Sequence, residues 1–333
     1  MNRSDFIQGV TRTKVIETRL LSQDKINRMI ESNDVEEALR LLNESEYSDS
    51  FKGVLVSADY EKILSNELIR IYDLMRDVSA DPVVVDLLAL KYDYHNMKVM
   101  VKEKIYKKDL SDLYISVSVL APDFMKEAYT TQDFRQISKE FKTAIDAVEE
   151  DFKESSDPQR IDFIFDEYYF KHLYNMAERT KIDLFINYVQ DMIDFTNVAS
   201  LIRLKKQNKD IEFCKDVILE NGNIKKDDIL AAFNDSIDDM MDRFKDSKIS
   251  NSLIKGLDSY KETSSLSILE KYKDDYLMDL NKASKYINIG PEPIFSYIVA
   301  KETEIKTLRI ILVAKLNNLS PDVIRERVRE LYV

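Results

Sequence analysis

An all-α fold is predicted for this chain, made of three similar helical modules arranged as a pseudo-threefold funnel. Three observations predict it. The 333 residues include only 5 Gly and 6 Pro, far below the roughly 7% and 5% of an average protein, so the many tight turns of a sandwich or barrel are lacking. Apolar residues recur three, four and seven apart behind recognisable helix starts. One twelve-residue pattern occurs three times, at intervals of about a third of the chain.

The helix starts can be followed in order. Asp34, with Glu37 three residues on, forms a variant of the capping box, and Ala38, Leu39 and Leu42 behind it make one apolar stripe. Asp81-Pro82, Asp157-Pro158 and Ser320-Pro321 each put a cap residue before a proline at the first helical position. Gly290-Pro291-Glu292-Pro293 ends one segment and opens another, in which Phe295, Ile298, Ile305, Leu308, Leu312 and Leu316 keep helical spacing. Strand-like alternation is scarce: Ile115-Ser116-Val117-Ser118-Val119 is the best case, and reads equally as a strand, a helical turn or a connector. Polar linkers are expected at Ser45 to Gly53, Glu149 to Asp157, Asn221 to Lys226 and Lys245 to Ser252.

The repeat is the most informative feature. Its copies run from Asp93 to Lys104, from Asp194 to Lys205 and from Glu304 to Lys315. Each has an acid first, a polar residue fourth (Asn96, Asn197, Thr307) and Lys last, with apolar residues between at helical spacing. Acid toward the helix start and Lys toward its end suit the helix dipole. After each Lys comes a polar break and another apolar-periodic helix, at Phe124, Ile229 and Val323 onward. The period is too long for a solenoid and fits three tandem modules, 1–112, 113–222 and 223–333, whose terminal helices are free to exchange. Three such modules can close around an axis, a shape suited to gripping a rod.

Composition narrows the function. A net charge of -12 argues against a general role in binding DNA or RNA, since phosphate contact needs a basic face. One cysteine, Cys214, and two histidines, His95 and His172, do not make a zinc site, and no metal or cofactor is expected. The five glycines are too scattered for a phosphate-cradling loop. No apolar run approaches the ~18–20 residues of a membrane span, so no transmembrane segment is expected. One enzymatic pattern stands out: Asp238-Asp239-Met240-Met241-Asp242 matches the acid spacing with which all-helical isoprenoid synthases hold magnesium and diphosphate, with Asp274, Asp275 and Asp279 as a looser second cluster. Its competing reading is a solvated acidic helix face. His95 is expected to be a satisfied interior or interface histidine, and Tyr168-Tyr169-Phe170 to lie at a contact between modules.

The final 44 residues carry a family resemblance. Gly290-Pro291-Glu292-Pro293-Ile294-Phe295, Lys301-Glu302-Thr303-Glu304-Ile305-Lys306, Leu308-Arg309-Ile310-Ile311, Lys315-Leu316-Asn317 and Ile324 to Val333 resemble the C-terminal signature of the C subunits of prokaryotic V/A-type ATPases (ATP synthases), a family that includes the d subunits of eukaryotic vacuolar ATPases. Glu17 to Ser22 and Tyr92 to Lys98 resemble the family's N-terminal helix pair and its central Asp-x-x-Asn motif. The resemblance implies a funnel of three helical modules. It implies a non-catalytic part of the central stalk, peripheral on the cytoplasmic face of the membrane. Such a socket joins the rotating shaft (the D and F subunits) to the membrane rotor ring and transmits torque for ATP-driven proton or sodium transport or for ATP synthesis. Asp93, Asn96, Lys104, Asp194, Asn197, Lys205, Glu304, Thr307 and Lys315 are then candidates either for contacting a partner or for closing the modules on one another. A generic helical scaffold that binds partner helices is the alternative, and the magnesium-dependent diphosphate enzyme a more remote one.

Overall fold

The computed structural model describes residues 1–53 and 59–333. Among these residues the regular structure is all helical. The α-helices in chain order are α1 (Ile7–Glu17), α2 (Gln23–Glu31), α3 (Val35–Asn43), α4 (Tyr60–Val78), α5 (Val83–Tyr106), α6 (Pro122–Thr131), α7 (Lys139–Ser155), α8 (Pro158–Thr180), α9 (Asp183–Lys206), α10 (Ile211–Val217), α11 (Lys226–Ala231), α12 (Ile237–Arg243), α13 (Ser250–Thr263), α14 (Ser267–Lys282), α15 (Glu292–Leu316) and α16 (Pro321–Arg327).

The starts follow the local chemistry. Asp34 accepts from the Glu37 amide at 2.8 Å, while the Glu37 carboxylate takes the Asn33 amide at 2.7 Å, so two orphan donors at the start of α3 are satisfied. Asp157 accepts from the Gln159 amide at 2.9 Å at the start of α8. The stops depend on polar residues, because glycine is scarce. Lys107, Gln132, Ser156, Lys181, Asn208, Ser264 and Asn318 all end or follow helices with positive φ, the left-handed cap usually given to glycine.

Two compact units form, one from 1–85 with 249–333 and one from 86–248; the division falls inside α5. In the first unit α15 packs on α1, α3 and α4, and α13 pairs with α14. The α13–α14 pair is close enough to require Gly256, where an added Cβ would stand 2.8 Å from the Leu269 Cα. The core of this unit joins Ile26, Met29 and Ile30 of α2 to Ile305, Leu308, Ile311 and Leu312 of α15. From Glu292 to Lys301 every residue of α15 is buried, so that stretch is core on all faces. In the second unit α7, α8 and α9 pack in succession. Tyr94 of α5 meets Phe165, Tyr169 and His172 of α8 edge to face, at ring separations of 6.5, 5.6 and 6.1 Å.

Of the three readings open for Ile115 to Val119 the structure takes the connector, because its backbone groups bond to side chains of α5 and not to another strand. One local expectation is corrected. The segment from Glu149 to Ser155 is the last part of α7, since Ala144, Ile145 and Val148 bury a face that carries the helix into the polar run. Leu316 is the last residue of α15, in keeping with its helical spacing, and is 40% exposed.

Candidate functional site: three helix-docking junctions

The nine repeat residues fall into three junctions of one design. Each lies where a long helix (α5, α9 or α15) holds a shorter one running parallel to it (α6, α11 or α2). At the first junction the buried Asp93 carboxylate accepts from the Val119 and Leu120 amides at 3.0 and 2.9 Å. At the second, buried Asp194 accepts from Asn223 and Ile224 at 3.1 and 2.9 Å. At the third, buried Glu304 accepts from the Leu21 amide at 2.6 Å. Leu120, Ile224 and Leu21 each stand two residues ahead of the first residue of the held helix, at Pro122, Lys226 and Gln23. The register is the same in all three.

The lysines mark the other end. Lys205 donates to the Asp235 carbonyl, which caps the 3-10 turn Ala232–Asn234 that extends α11. Lys315 donates to the Ser32 carbonyl, which caps α2, at 2.6 Å. Acid and Lys are eleven residues apart, or about 16 Å along a helix. That matches the length of a nine- or ten-residue partner plus its flanks. The lysines lie in the last turn of the helices that carry them and suit those dipoles, whereas the acids, near the middle of their own helices, place negative charge at the start of the held helix. Lys104 departs from the scheme: it pairs with Glu149 at 2.7 Å and lies over the Tyr129 ring, while Gln132 caps the Tyr129 carbonyl at 2.7 Å in its place.

The fourth position separates the junctions in a second way. Asn96 holds Ile115 at two points, its Oδ1 accepting from the amide and its Nδ2 donating to the carbonyl, both at 2.9 Å. Asn197 holds Leu219 likewise, at 2.8 and 2.9 Å. In the shared register the corresponding residue of the third junction is Ile16, which lies inside α1 and whose carbonyl already accepts from the Arg19 amide at 3.0 Å. No free backbone pair is left for an asparagine to hold. Thr307 stands there instead, its buried hydroxyl without a hydrogen-bond partner.

All three long helices also stop alike. Lys107, Asn208 and Asn318, each three residues beyond the repeat lysine, are left-handed. The next amide in each case (Lys108, Lys209, Leu319) reaches back to the carbonyl five residues earlier (Glu103, Leu204, Ala314), the Schellman arrangement. α16, which begins at Pro321, is thus not the third counterpart of α6 and α11; that place belongs to α2.

The third junction contains a buried charge cluster that the repeat did not reveal. Lys301, 1% exposed, pairs with Glu304 at 2.7 Å and with Glu67 at 3.1 Å, and lies over the Tyr47 ring. Glu67 is bound by Arg70 through two contacts of 2.8 Å and by the Ser50 hydroxyl at 3.0 Å, and the Tyr47 hydroxyl donates to Glu304 at 2.8 Å. Two carboxylates face two cations. Burial pulls the Lys301 ammonium down, but the two glutamates outweigh it and hold the group above its usual range. A lysine directly after the apolar run Ile294 to Ala300 was the available signal in the sequence.

At the second junction, burial pushes the Asp194 carboxyl up to about 6, with Asp191 adding to the effect and the two backbone donors opposing it. An added Cβ at Gly222 would come within 2.2 Å of this carboxylate, so the junction requires glycine there. The folded chain holds the Asp194 proton more tightly than the unfolded chain does. The stability this brings is complete below about pH 4 and is lost as pH rises through 6. Carbon-13 NMR of the Asp194 carboxyl is expected to titrate near pH 6; a midpoint below 4.5 would refute the assignment.

The remaining candidates resolve plainly. Asp239 closes a capping box with Ser236 at the start of α12, and Asp242 pairs with Lys245 at 2.9 Å. The aspartate-rich run thus serves a helix start and an exposed ion pair. Among the described residues no cluster of His, Cys, Asp and Glu is placed to hold a metal ion. Of the second acidic cluster, Asp274 binds Lys306 and Arg329. His95 places its Nε2 2.9 Å from the Leu113 carbonyl. Three basic side chains also pair with acids, Lys102 with Asp162, Arg309 with Glu61 and Arg325 with Glu31.

The chain is all helical among the described residues, and most of its repeated polar residues are engaged in helix docking. Comparison of the sequence with known families places it: the chain belongs to the ATP synthase (C/AC39) subunit family, whose model it matches over residues 9–327. It is 27% identical to the C subunit of the V-type sodium ATPase of Enterococcus hirae, over 95% of each chain. It is 24% identical to the C subunit of the A-type ATP synthase of Methanocaldococcus jannaschii, over 96% of this chain and 84% of that one. To its counterpart in the A-type ATP synthase of Thermococcus onnurineus it is 27% identical, over 96% and 88%. It is accordingly a non-catalytic subunit of a V/A-type ATPase. Among the described residues no helix is long and apolar enough to cross a membrane.

Proposed function

We propose that this chain is the central-stalk socket of its rotary ATPase. In this reading its three modules form a pseudo-threefold funnel on the cytoplasmic face of the membrane, peripheral to it. The funnel receives the shaft built from the D and F subunits on one side and seats on the membrane rotor ring on the other. Torque passes through it during ATP-driven proton or sodium transport, or during ATP synthesis. The observation that carries the reading is the threefold recurrence of one junction in one register, in a chain of this family. A part that transmits rotation must share load around an axis, and equivalent junctions do so. The hydrogen bonds of Asp93, Asn96, Asp194, Asn197, Lys205, Glu304 and Lys315 support the module-closing alternative for these residues, Lys104 and Thr307 standing outside the scheme, and on this reading the partner-facing surfaces are built from other residues.

The test is reconstitution. Membranes carrying the rotor ring are stripped of this chain and offered the D–F shaft with and without it. Shaft and ring are expected to sediment together only when the chain is added back. A shaft that attaches equally well in its absence would sink the proposal.

A further inference from the structure

The first junction departs from the other two at its lysine, and a cleft lies where it departs. At the second and third junctions the repeat lysine is used on a carbonyl at the end of the held helix, Asp235 for Lys205 and Ser32 for Lys315. At the first, Gln132 takes the Tyr129 carbonyl from its left-handed position, and the lysine is released from that duty. Lys104 instead lines a cleft of about 580 Å³, together with Lys126, Tyr129 and the buried Met100.

Two matching groups of side chains stand at this cleft. In one, Lys104 donates to Glu149 at 2.7 Å, and the Tyr129 hydroxyl donates to the same carboxylate at 2.6 Å. The Lys104 ammonium lies 4.7 Å from the centre of the Tyr129 ring. In the other, Lys126 pairs with Glu103 at 3.0 Å, and the Tyr114 hydroxyl donates to Glu103 at 3.0 Å. The Lys126 ammonium lies 5.6 Å from the centre of the Tyr114 ring. A lysine on an open surface has many rotamers to lose when it binds something. Here a carboxylate and an aromatic ring hold each ammonium in place beforehand, which lowers the cost of ordering it later.

The glutamates are the set-back end of each pair. The side chains of Lys104 and Lys126 are 57% and 45% exposed, against 27% and 14% for Glu149 and Glu103. Burial pushes both carboxyls up, yet the lysine and tyrosine donors outweigh it and hold them below their usual range, with the Leu110 amide adding to this at Glu103. Each carboxylate is thus satisfied from within the protein. Each ammonium has three donors, more than its glutamate takes up. Lys107 and Lys108, both exposed, follow Lys104 within one turn. The outward charge of the cleft is positive, in a chain whose net charge is -12.

We propose that this cleft is a docking site for an acidic segment of a partner polypeptide, whose carboxylates bind the Lys104 and Lys126 ammoniums. Charge complementarity selects the occupant, since a basic segment would meet the exposed lysines first. Size selects a peptide over a lone anion: the cleft falls in the roughly 300–1,000 Å³ range that accommodates many-atom ligands, far more than one phosphate fills. The inference goes beyond the socket reading and does not rest on it, because it holds whichever neighbouring chain supplies the acids.

The test uses the full chain and dye-labelled hexaglutamate, followed by fluorescence anisotropy. Binding is expected at low salt and is expected to weaken about tenfold or more in ~0.5 M sodium chloride. Lys104→Gln combined with Lys126→Gln is expected to weaken it about tenfold, with the helical circular dichroism signal kept, because exposed ion pairs contribute little to stability. Lys215→Gln combined with Lys245→Gln removes two lysines of the same unit that pair with Glu212 and Asp242 on exposed helix surfaces. The net charge changes equally in the two double variants, so the second is expected to alter binding by less than about twofold. Absence of binding at low salt would overturn the proposal. Equal losses in the two double variants would do so as well, by showing general attraction to surface lysines. Displacement of the peptide by an equimolar amount of inorganic phosphate would also overturn it, since the cleft would then be a small-anion site.

Discussion

Lys301→Met is expected to destabilise the protein by about 3–5 kcal/mol, measured by urea unfolding at neutral pH. Methionine fills nearly the same volume, so packing is kept and the loss is electrostatic. Glu67 is 0% exposed and keeps Arg70 as its counter-ion, whereas Glu304, 2% exposed, keeps only the Leu21 amide and the Tyr47 hydroxyl. An uncompensated carboxylate in that setting is the costly species, since its attraction to Lys301 had offset a desolvation penalty that remains after the lysine is gone. Adding Glu304→Gln is therefore expected to recover part of the loss: the amide oxygen still accepts from Leu21 and the charge is removed. A double variant no more stable than Lys301→Met alone would show that the cluster acts through packing and not through charge balance.

How much of this is legible in the sequence depends on whether the signal is local. Helix starts at Asp34 and Asp157 are readable because a cap needs only the residue and the amides that follow it. The repeat is readable because acid, polar residue and lysine occupy one helix in each copy. What the repeat grips is not, because dipole complementarity looks the same for a helix and for its parallel neighbour. Analogy with the first two copies points to Val323 onward as the third partner, and a contact spanning 283 residues leaves no mark in a linear pattern to correct it. Lys301 and Glu67 escape for the same reason: on α15 and α4, they meet only when the fold is complete. The helix end inside Glu149 to Asp157 is hidden because a helix with one buried face tolerates a polar run on the other.

The fourth repeat position gives the sharpest contrast between copies that look alike. Asn197→Leu is expected to cost about 2–5 kcal/mol, because it orphans both the amide and the carbonyl of Leu219, a residue only 5% exposed, and each buried unpaired backbone group costs about 1–3 kcal/mol. Thr307→Val at the corresponding place is expected to change stability by less than about 1 kcal/mol, and in the stabilising direction, because it replaces a buried hydroxyl that has no partner by a methyl of the same shape. The difference lies wholly in the segment being held. Leu219 lies in the irregular stretch between α10 and α11, where its amide and carbonyl are held by Asn197, while Ile16 is already inside α1 with its own bonds made. Paired urea titrations of the two variants decide the matter. A loss at Thr307→Val comparable to that at Asn197→Leu would mean that the threonine hydroxyl holds something after all, and that the third junction grips its segment in the same way as the other two.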